Sequence, residues 1–317
     1  MHSRFPYLSD REHSFDVCAR ASILEDQTIR SKDGRRLAVF TAGTRGAPTV
    51  LMVNPLGASC LFLIKLIAAL ARCCHVVTWE TRGSPDRFPD DTPREHEWAP
   101  ETHAQDLAAV LAATVGDRVD SVIAYCSGSY LTLYATALGL LAPSRIALIS
   151  PPLETRAGGP KTLYQQTIPP LLARIARQGP KAAALVRAIA QQGAAAKPED
   201  DDYELQVLNN LPFRRDEDTY RYACLHTAWQ ATPWTDVLAQ IAVPTAIFHG
   251  SNDDLVHMDT VVSLATAIPD AELYVYERQG HFAVYMSDAL IRDAVGFAMK
   301  DGARGRSGNR YASRIRS

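Results

Sequence analysis

From about residue 28 to residue 300, short apolar runs alternate with longer stretches of helical spacing. Parallel strands are buried on both faces and read as continuous apolar runs, and the connections between them need helices. The alternation therefore predicts an α/β fold with a mostly parallel central sheet flanked by helices. Residues 28–30 and 37–41 flank the turn Lys32-Asp33-Gly34 and predict an opening hairpin. Residues 49–54, 75–79, 119–125, 145–150, 244–249 and 272–277 predict buried strands. Helical runs are expected at 59–71, 102–115, 127–140, 258–267 and 287–300. Each helix follows its strand closely, so strand ends and helix starts converge on one edge. Ligand sites of such sheets lie outside the carboxyl ends of the strands.

One region breaks the alternation. Residues 151–235 are rich in Ala, Leu, Gln and Arg at helical spacing, punctuated by Gly158-Gly159-Pro160, Pro169-Pro170 and Gly179-Pro180. They are expected to form a helical lid inserted into a core made of residues 28–150 and 236–300. The acidic run Glu199-Asp200-Asp201-Asp202 is read as a solvated helix start and not as a ligand set. Residues 1–27 form an N-terminal extension. Residues 301–317 carry Arg304, Arg306, Arg310, Arg314 and Arg316 among Gly and Ser, with too few apolar side chains to pack, and are expected to be disordered.

The segment Val122-Ile123-Ala124-Tyr125-Cys126-Ser127-Gly128-Ser129 runs an apolar strand straight into a helix. A turn this sharp strains its central residue and requires small residues two positions before and after it, as in G-x-S-x-G. Centring on Cys126 places Ala124 and Gly128 there. Centring on Ser127 would place Tyr125 at the first of them, which is sterically poor. A thiol in the first turn of a helix meets the positive end of the helix dipole, which favours thiolate.

At this turn the chain resembles the α/β-hydrolase superfamily, and within it the members with a cysteine nucleophile, such as dienelactone hydrolases and thioesterase-like enzymes of biosynthetic pathways. The resemblance spans roughly residues 28 to 300 in element order. It implies an acid and then a histidine later in the chain. His249-Gly250-Ser251-Asn252-Asp253-Asp254-Leu255-Val256 supplies Asp253, with Asp254 as the alternative; Arg278-Gln279-Gly280-His281-Phe282 supplies His281. The resemblance makes Cys126 the nucleophile, His281 the base and Asp253 the group that orients it. It also places two oxyanion donors: the N–H of Ser127, and that of Leu56 in Asn54-Pro55-Leu56-Gly57, where the family often has His-Gly and where Pro55 has no N–H to give. Trp79-Glu80-Thr81-Arg82-Gly83 resembles the family's D-x-R-G turn, with Glu replacing Asp, and is read as scaffold.

A cysteine nucleophile implies a thioester intermediate, open both to water and to other acceptors. The expected activity is a thioesterase-like acyl hydrolase, the insertion giving room for a long acyl chain. Transfer to an amine, alcohol or thiol acceptor, a lactonase of dienelactone-hydrolase type, and a non-catalytic small-molecule binding protein are the alternatives. A net charge of −2 gives no basic field for nucleic acid, so the partner is a small or carrier-borne acyl substrate, with acyl carrier protein or coenzyme A as possible carriers. No cofactor or metal is called for. The first residues lack the apolar run of a signal peptide, no segment has the length of a membrane span, and a cytoplasmic location is expected. The six cysteines show no CxxC pair and are expected to be thiols, most of them in the core.

Overall fold

A computed structural model of the chain describes residues 4–84, 88, 95–116, 118–155, 158–184, 187–188, 203–300 and 312–316. Among them nine strands form one sheet: β1 (Glu25–Arg30), β2 (Arg36–Gly43), β3 (Thr49–Val53), β4 (His75–Trp79), β5 (Ser121–Tyr125), β6 (Arg145–Ile149), β7 (Thr245–Gly250), β8 (Ala271–Tyr276) and β9 (Ala312–Arg316). Their order is β1-β2-β4-β3-β5-β6-β7-β8-β9. Strand β2 pairs antiparallel with β1 and β4, and all other pairs are parallel. Each predicted strand is present, with ends shifted by a few residues at most. The expectation of a disordered tail is corrected over Ala312–Arg316, which add to β8 as the last strand. The physical reason is that β8 would otherwise end the sheet with a row of unpaired backbone groups. Residues 301–311 and 317 lie outside the described residues, as does the acidic run 199–202.

The helices are α1 (Asp16–Arg20), α2 (Ile64–Leu70), α3 (Pro100–Thr114), α4 (Gly128–Ala137), α5 (Leu163–Gln178), α6 (Tyr203–Asn209), α7 (Asp216–Gln230), α8 (Trp234–Leu238), α9 (Met258–Ala267), α10 (Ala283–Met286) and α11 (Asp288–Ala298). Side chains alternate across the strands, so the sheet has two apolar faces. Met52, Ile123 and Phe248 face the layer that holds α2 and α11. Leu51, Val53, Val122, Ala124, Leu148 and Ile247 face the layer that holds α3, α4 and α9. The N-terminal extension is part of the first layer, with Phe5, Leu8, Phe15, Val17 and Leu24 buried there, and β1 begins inside it at Glu25.

Between β6 and β7 the elements among the described residues are helical, α5 to α8. Pro169 and Pro170 do not interrupt α5 but lie within it. A capping box at Thr162 and Gln165 starts that helix, and Gly179, at φ 87°, stops it. Helices α5 and α7 pack on each other around a small core of Leu172, Ile175, Ala183 and Ala223. Among the described residues no helix is long and apolar enough to cross a membrane, and all six cysteines are free, with Cys60 and Cys74 buried and Cys73 exposed.

Candidate active site

Strand β5 ends at Tyr125, α4 begins at Gly128, and the turn between them centres on Cys126. Its φ is 48°, a left-handed conformation that costs a residue with a Cβ roughly 1 to 3 kcal/mol. Ser127, at φ −65° and ψ −12°, is unstrained. The strained residue is therefore the cysteine, in the register expected from the sequence. Cys126 N–H donates to Ile149 O at 2.8 Å, which fastens the turn to β6. The need for Gly128 is direct: a Cβ there would lie 2.5 Å from both Val53 O and Asn54 O, closer than such contacts allow.

His281 lies beyond β8 and Asp253 beyond β7. The two loops are sewn together, with Ser251 N–H donating to Tyr276 O, Asn252 N–H to Gln279 O at 2.9 Å, and Arg278 N–H to Ser251 Oγ. The backbones are so close that a Cβ on Gly250 would meet Gln279 O at 2.2 Å. His281 Nδ1 lies 2.8 Å from Asp253 Oδ2, and both side chains are buried. Asp253 Oδ1 accepts from the N–H groups of Leu255 and Val256, each at 2.9 Å. Asp254, the alternative acid, is exposed. The Cys126 sulfur lies close enough to His281 to act on its imidazole. Cys126, His281 and Asp253 thus lie together at one edge of the sheet.

Its electrostatics follow from burial and proximity. Burial opposes charge on His281, but the Asp253 carboxylate and the Cys126 sulfur outweigh it and push the imidazole up to about 10. Burial likewise opposes charge on Asp253, and the His281 and His249 imidazoles together with the Val256 N–H hold it below its ordinary range. His249, whose Nδ1 lies 3.6 Å from Asp253 Oδ2, is itself pushed down to about 4 by burial.

The expected oxyanion loop follows β3. Asn54 fixes it, donating from Nδ2 to Trp79 O at 2.6 Å, and Gly57 N–H donates to Thr81 Oγ1 at 3.1 Å. The 79–83 turn that receives these bonds is anchored by Arg82, whose buried guanidinium meets Asp106 and Asp33. Leu56 N–H, the expected second donor, gives its hydrogen to Ser127 Oγ at 3.0 Å. That hydroxyl oxygen occupies the acceptor position on Leu56 that a developing oxyanion needs. Ser127 N–H, the other expected donor, has no hydrogen-bond acceptor among the described residues.

The helices between β6 and β7 complete the site. A narrow cavity of about 10 Å³, room for about one water, is lined by Leu56, Ser127, Tyr130, Tyr222, Leu225, His226 and Trp229. Its size opposes the expectation of room for a long acyl chain beside the nucleophile. Tyr164 from α5 and Tyr222 from α7 lie near enough to Cys126 to feel its sulfur. Burial pushes both phenols up, so they remain protonated, and burial pushes His226 down to about 4, so it is neutral. Sequence reasoning missed Tyr164, Tyr222 and His226. The available signal was a stripe along α7, where Tyr222, Leu225, His226 and Trp229 recur at helical spacing.

The fold and the arrangement of these residues at the ends of the strands are those of the α/β-hydrolase class. Residues 48–287 match the family model described as alpha/beta hydrolase fold, and the chain belongs to that family. Among individual proteins, it is 31% identical over 84 residues to a 2-hydroxy-6-oxononadienedioate/2-hydroxy-6-oxononatrienedioate hydrolase of Cupriavidus pinatubonensis; this match covers 26% of the chain and only 29% of that relative. Solved structures with the same fold include an esterase from Exiguobacterium antarcticum, with a TM-score of 0.68 and 19% identity over 87% of this chain and 100% of that one. An enol-lactonase from Burkholderia xenovorans LB400 matches with a TM-score of 0.64 and 20% identity over 86% of this chain and 100% of that one.

Proposed function

We propose that the chain is an acyl hydrolase that works through a Cys126 thioester. The observation that carries this reading is the placement of a strained cysteine at the end of β5, near His281, which is hydrogen-bonded to buried Asp253. Cys126 Sγ, its proton passed to His281, attacks the acyl carbon. The new C–S bond forms as the leaving group departs with the proton that His281 returns. Water then attacks the thioester while His281 takes its proton, and the carboxylic acid is released as the C–S bond breaks. Asp253 holds the imidazole in the tautomer that can do this. The N–H groups of Ser127 and Leu56 stabilise the oxyanion once the Ser127 hydroxyl has turned away from Leu56, each donor contributing about 3 kcal/mol.

A second reading, as a lactonase acting on small cyclic esters, is supported by the likeness of fold to the enol-lactonase from Burkholderia xenovorans LB400. The test is mass spectrometry of the protein mixed with aryl thioesters, aryl esters and enol-lactones. An acyl adduct on the Cys126 peptide, released by hydroxylamine, together with free acid as product, is expected. Full turnover by Cys126→Ala with loss in Ser127→Ala would overturn the assignment of the nucleophile. Acyl transfer to an added amine in place of free acid would overturn hydrolysis.

A further inference from the structure

Three sulfur atoms meet at the amino end of β4. Cys73 and Cys74 lie between α2 and β4 with their Sγ atoms 3.7 Å apart, and Cys74 Sγ lies 3.0 Å from Sδ of Met299, the residue that follows α11. We propose that Cys73, Cys74 and Met299 bind one monovalent copper ion. The site is separate from Cys126. Strands β4 and β5 are each parallel to β3, so the amino end of β4 and the carboxyl end of β5 lie at opposite edges of the sheet.

The donor set selects the ion. Thiolate and thioether are soft ligands that favour Cu(I), whereas zinc takes its ligands from Cys, His and carboxylates. Both hydrogen-bond partners of the Cys74 thiol among the described residues are sulfurs. No group of three or more His, Cys, Asp and Glu that could hold a metal occurs among the described residues, so it is a thioether that completes this set. The spacing suits an ion. Metal–sulfur bonds of about 2.3 Å place sulfurs about 4 Å apart around one three-coordinate metal. The Sγ pair already stands at 3.7 Å, and the unbranched, half-buried Met299 side chain moves outward to match. A disulfide is the competing chemistry for paired thiols. It takes Cα atoms roughly 4.4 to 6.8 Å apart, and consecutive residues across a trans peptide are only about 3.8 Å apart, so a bridge here is strained.

The backbone holds the pair in place before an ion arrives. The N–H groups of Cys73 and Cys74 both donate to Leu70 O, at 2.9 and 2.8 Å, and a Cβ on Gly43 would lie 2.0 Å from Cys74 O. Helix α11 packs on α2, which brings Met299 to the pair. Cys74 is fully buried, while Cys73 is exposed and is the point of entry, where copper passes from another thiol by ligand exchange. Burial pushes the Cys74 thiol up to about 12, so its proton leaves only as the metal binds. Two thiolate–copper bonds and one thioether–copper bond form, two thiol protons go to solvent, and the copper stays monovalent.

The experiment titrates the full chain with Cu(I) under nitrogen in competition with bicinchoninate, then labels it with N-ethylmaleimide and reads each cysteine by peptide mass spectrometry. One Cu(I) per chain is expected. Labelling of Cys73 should slow about tenfold or more, because its thiolate is tied to the metal, and labelling of Cys126 should not change. Met299→Leu keeps the side-chain volume and should weaken binding about tenfold, as the loss of even an outer partner of a metal does. Cys73→Ser, at an exposed position, should weaken it about a hundredfold or more by undoing the chelate. Copper should raise the melting temperature of the wild type and leave that of Cys73→Ser unmoved. Labelling of Cys73 at one rate with and without copper, protection of Cys126 in its place, or Met299→Leu binding as tightly as the wild type would each overturn the proposal. So would Zn(II) held as tightly as Cu(I).

Discussion

The two halves of the site are held in different ways. Cys126, His281, Asp253 and the loop of Leu56 all sit at the ends of strands in one sheet, tied by backbone hydrogen bonds and by glycines with no room for a Cβ. Tyr164, Tyr222, Leu225, His226 and Trp229 come from helices of the 151–235 region, whose own core is Leu172, Ile175, Ala183 and Ala223. In the reading proposed above, the backbone-held half fixes where bonds are made and broken, and the helical half, which reaches the core of the sheet through the side chains of Leu225 and Trp229, decides what is brought there.

The largest effect that would break this contrast concerns the buried acid. Asp253→Asn should lower kcat about 10⁴-fold, because His281 loses the partner that sets its tautomer, whereas no substitution at Tyr222 should approach that loss; steady-state kinetics on one aryl ester compares them. The same pair predicts how stability varies with pH. His281 is raised from 6.5 to about 10, so its contribution is complete below 6.5 and is lost as pH rises through 10. Asp253 is lowered, so its contribution is present above its ordinary value of 3.8 and lost as pH falls. Thermal melts of wild type and Asp253→Asn should therefore differ most between these limits and converge toward pH 10.

An intermediate effect separates the two cores. Leu148 and Leu172 are both fully buried, one in the sheet and one in α5. Truncating either to Ala should cost about 2 to 5 kcal/mol. The Leu148 loss should appear as a lowered single unfolding transition in denaturant. The Leu172 loss should appear as faster amide exchange confined to α5 and α7, with kcat/KM reduced before global stability falls. Equal, global losses would show that the halves are one cooperative unit. The smallest effect is at Ser127. Removing its hydroxyl frees Leu56 N–H, so Ser127→Ala should change kcat/KM by no more than about tenfold, the range of one neutral hydrogen bond.

The same division governs what could be read from the sequence. Strand positions were legible because a two-sided sheet demands apolar runs, and β4 and α9 match their expected bounds. The placement of Cys126, Asp253 and His281 at the ends of strands was legible because each is fixed by its order after a strand and by local small residues. The cavity was not. Helical spacing on α7 shows that Tyr222 and His226 share a face, but which face covers Ser127 depends on packing between elements far apart in sequence. Pro169 and Pro170 read as a break because Pro removes a helical hydrogen bond, yet α5 runs through them, supported by its packing on α7. Strand β9 was hidden for a related reason: its pairing partner β8 lies well before it in the chain, and its residues alone lack an apolar run.

Gly128 has a consequence for how such a site can diversify. With α4 lying directly on the backbone of Val53 and Asn54, the nucleophile turn and the loop bearing Leu56 move as one body. The spacing of the two N–H groups is then a property of main chain against main chain and not of any side chain around them. Substitutions in the cavity wall can accumulate and change what is admitted, while the turn at Cys126 and the loop of Leu56 keep their geometry unaltered.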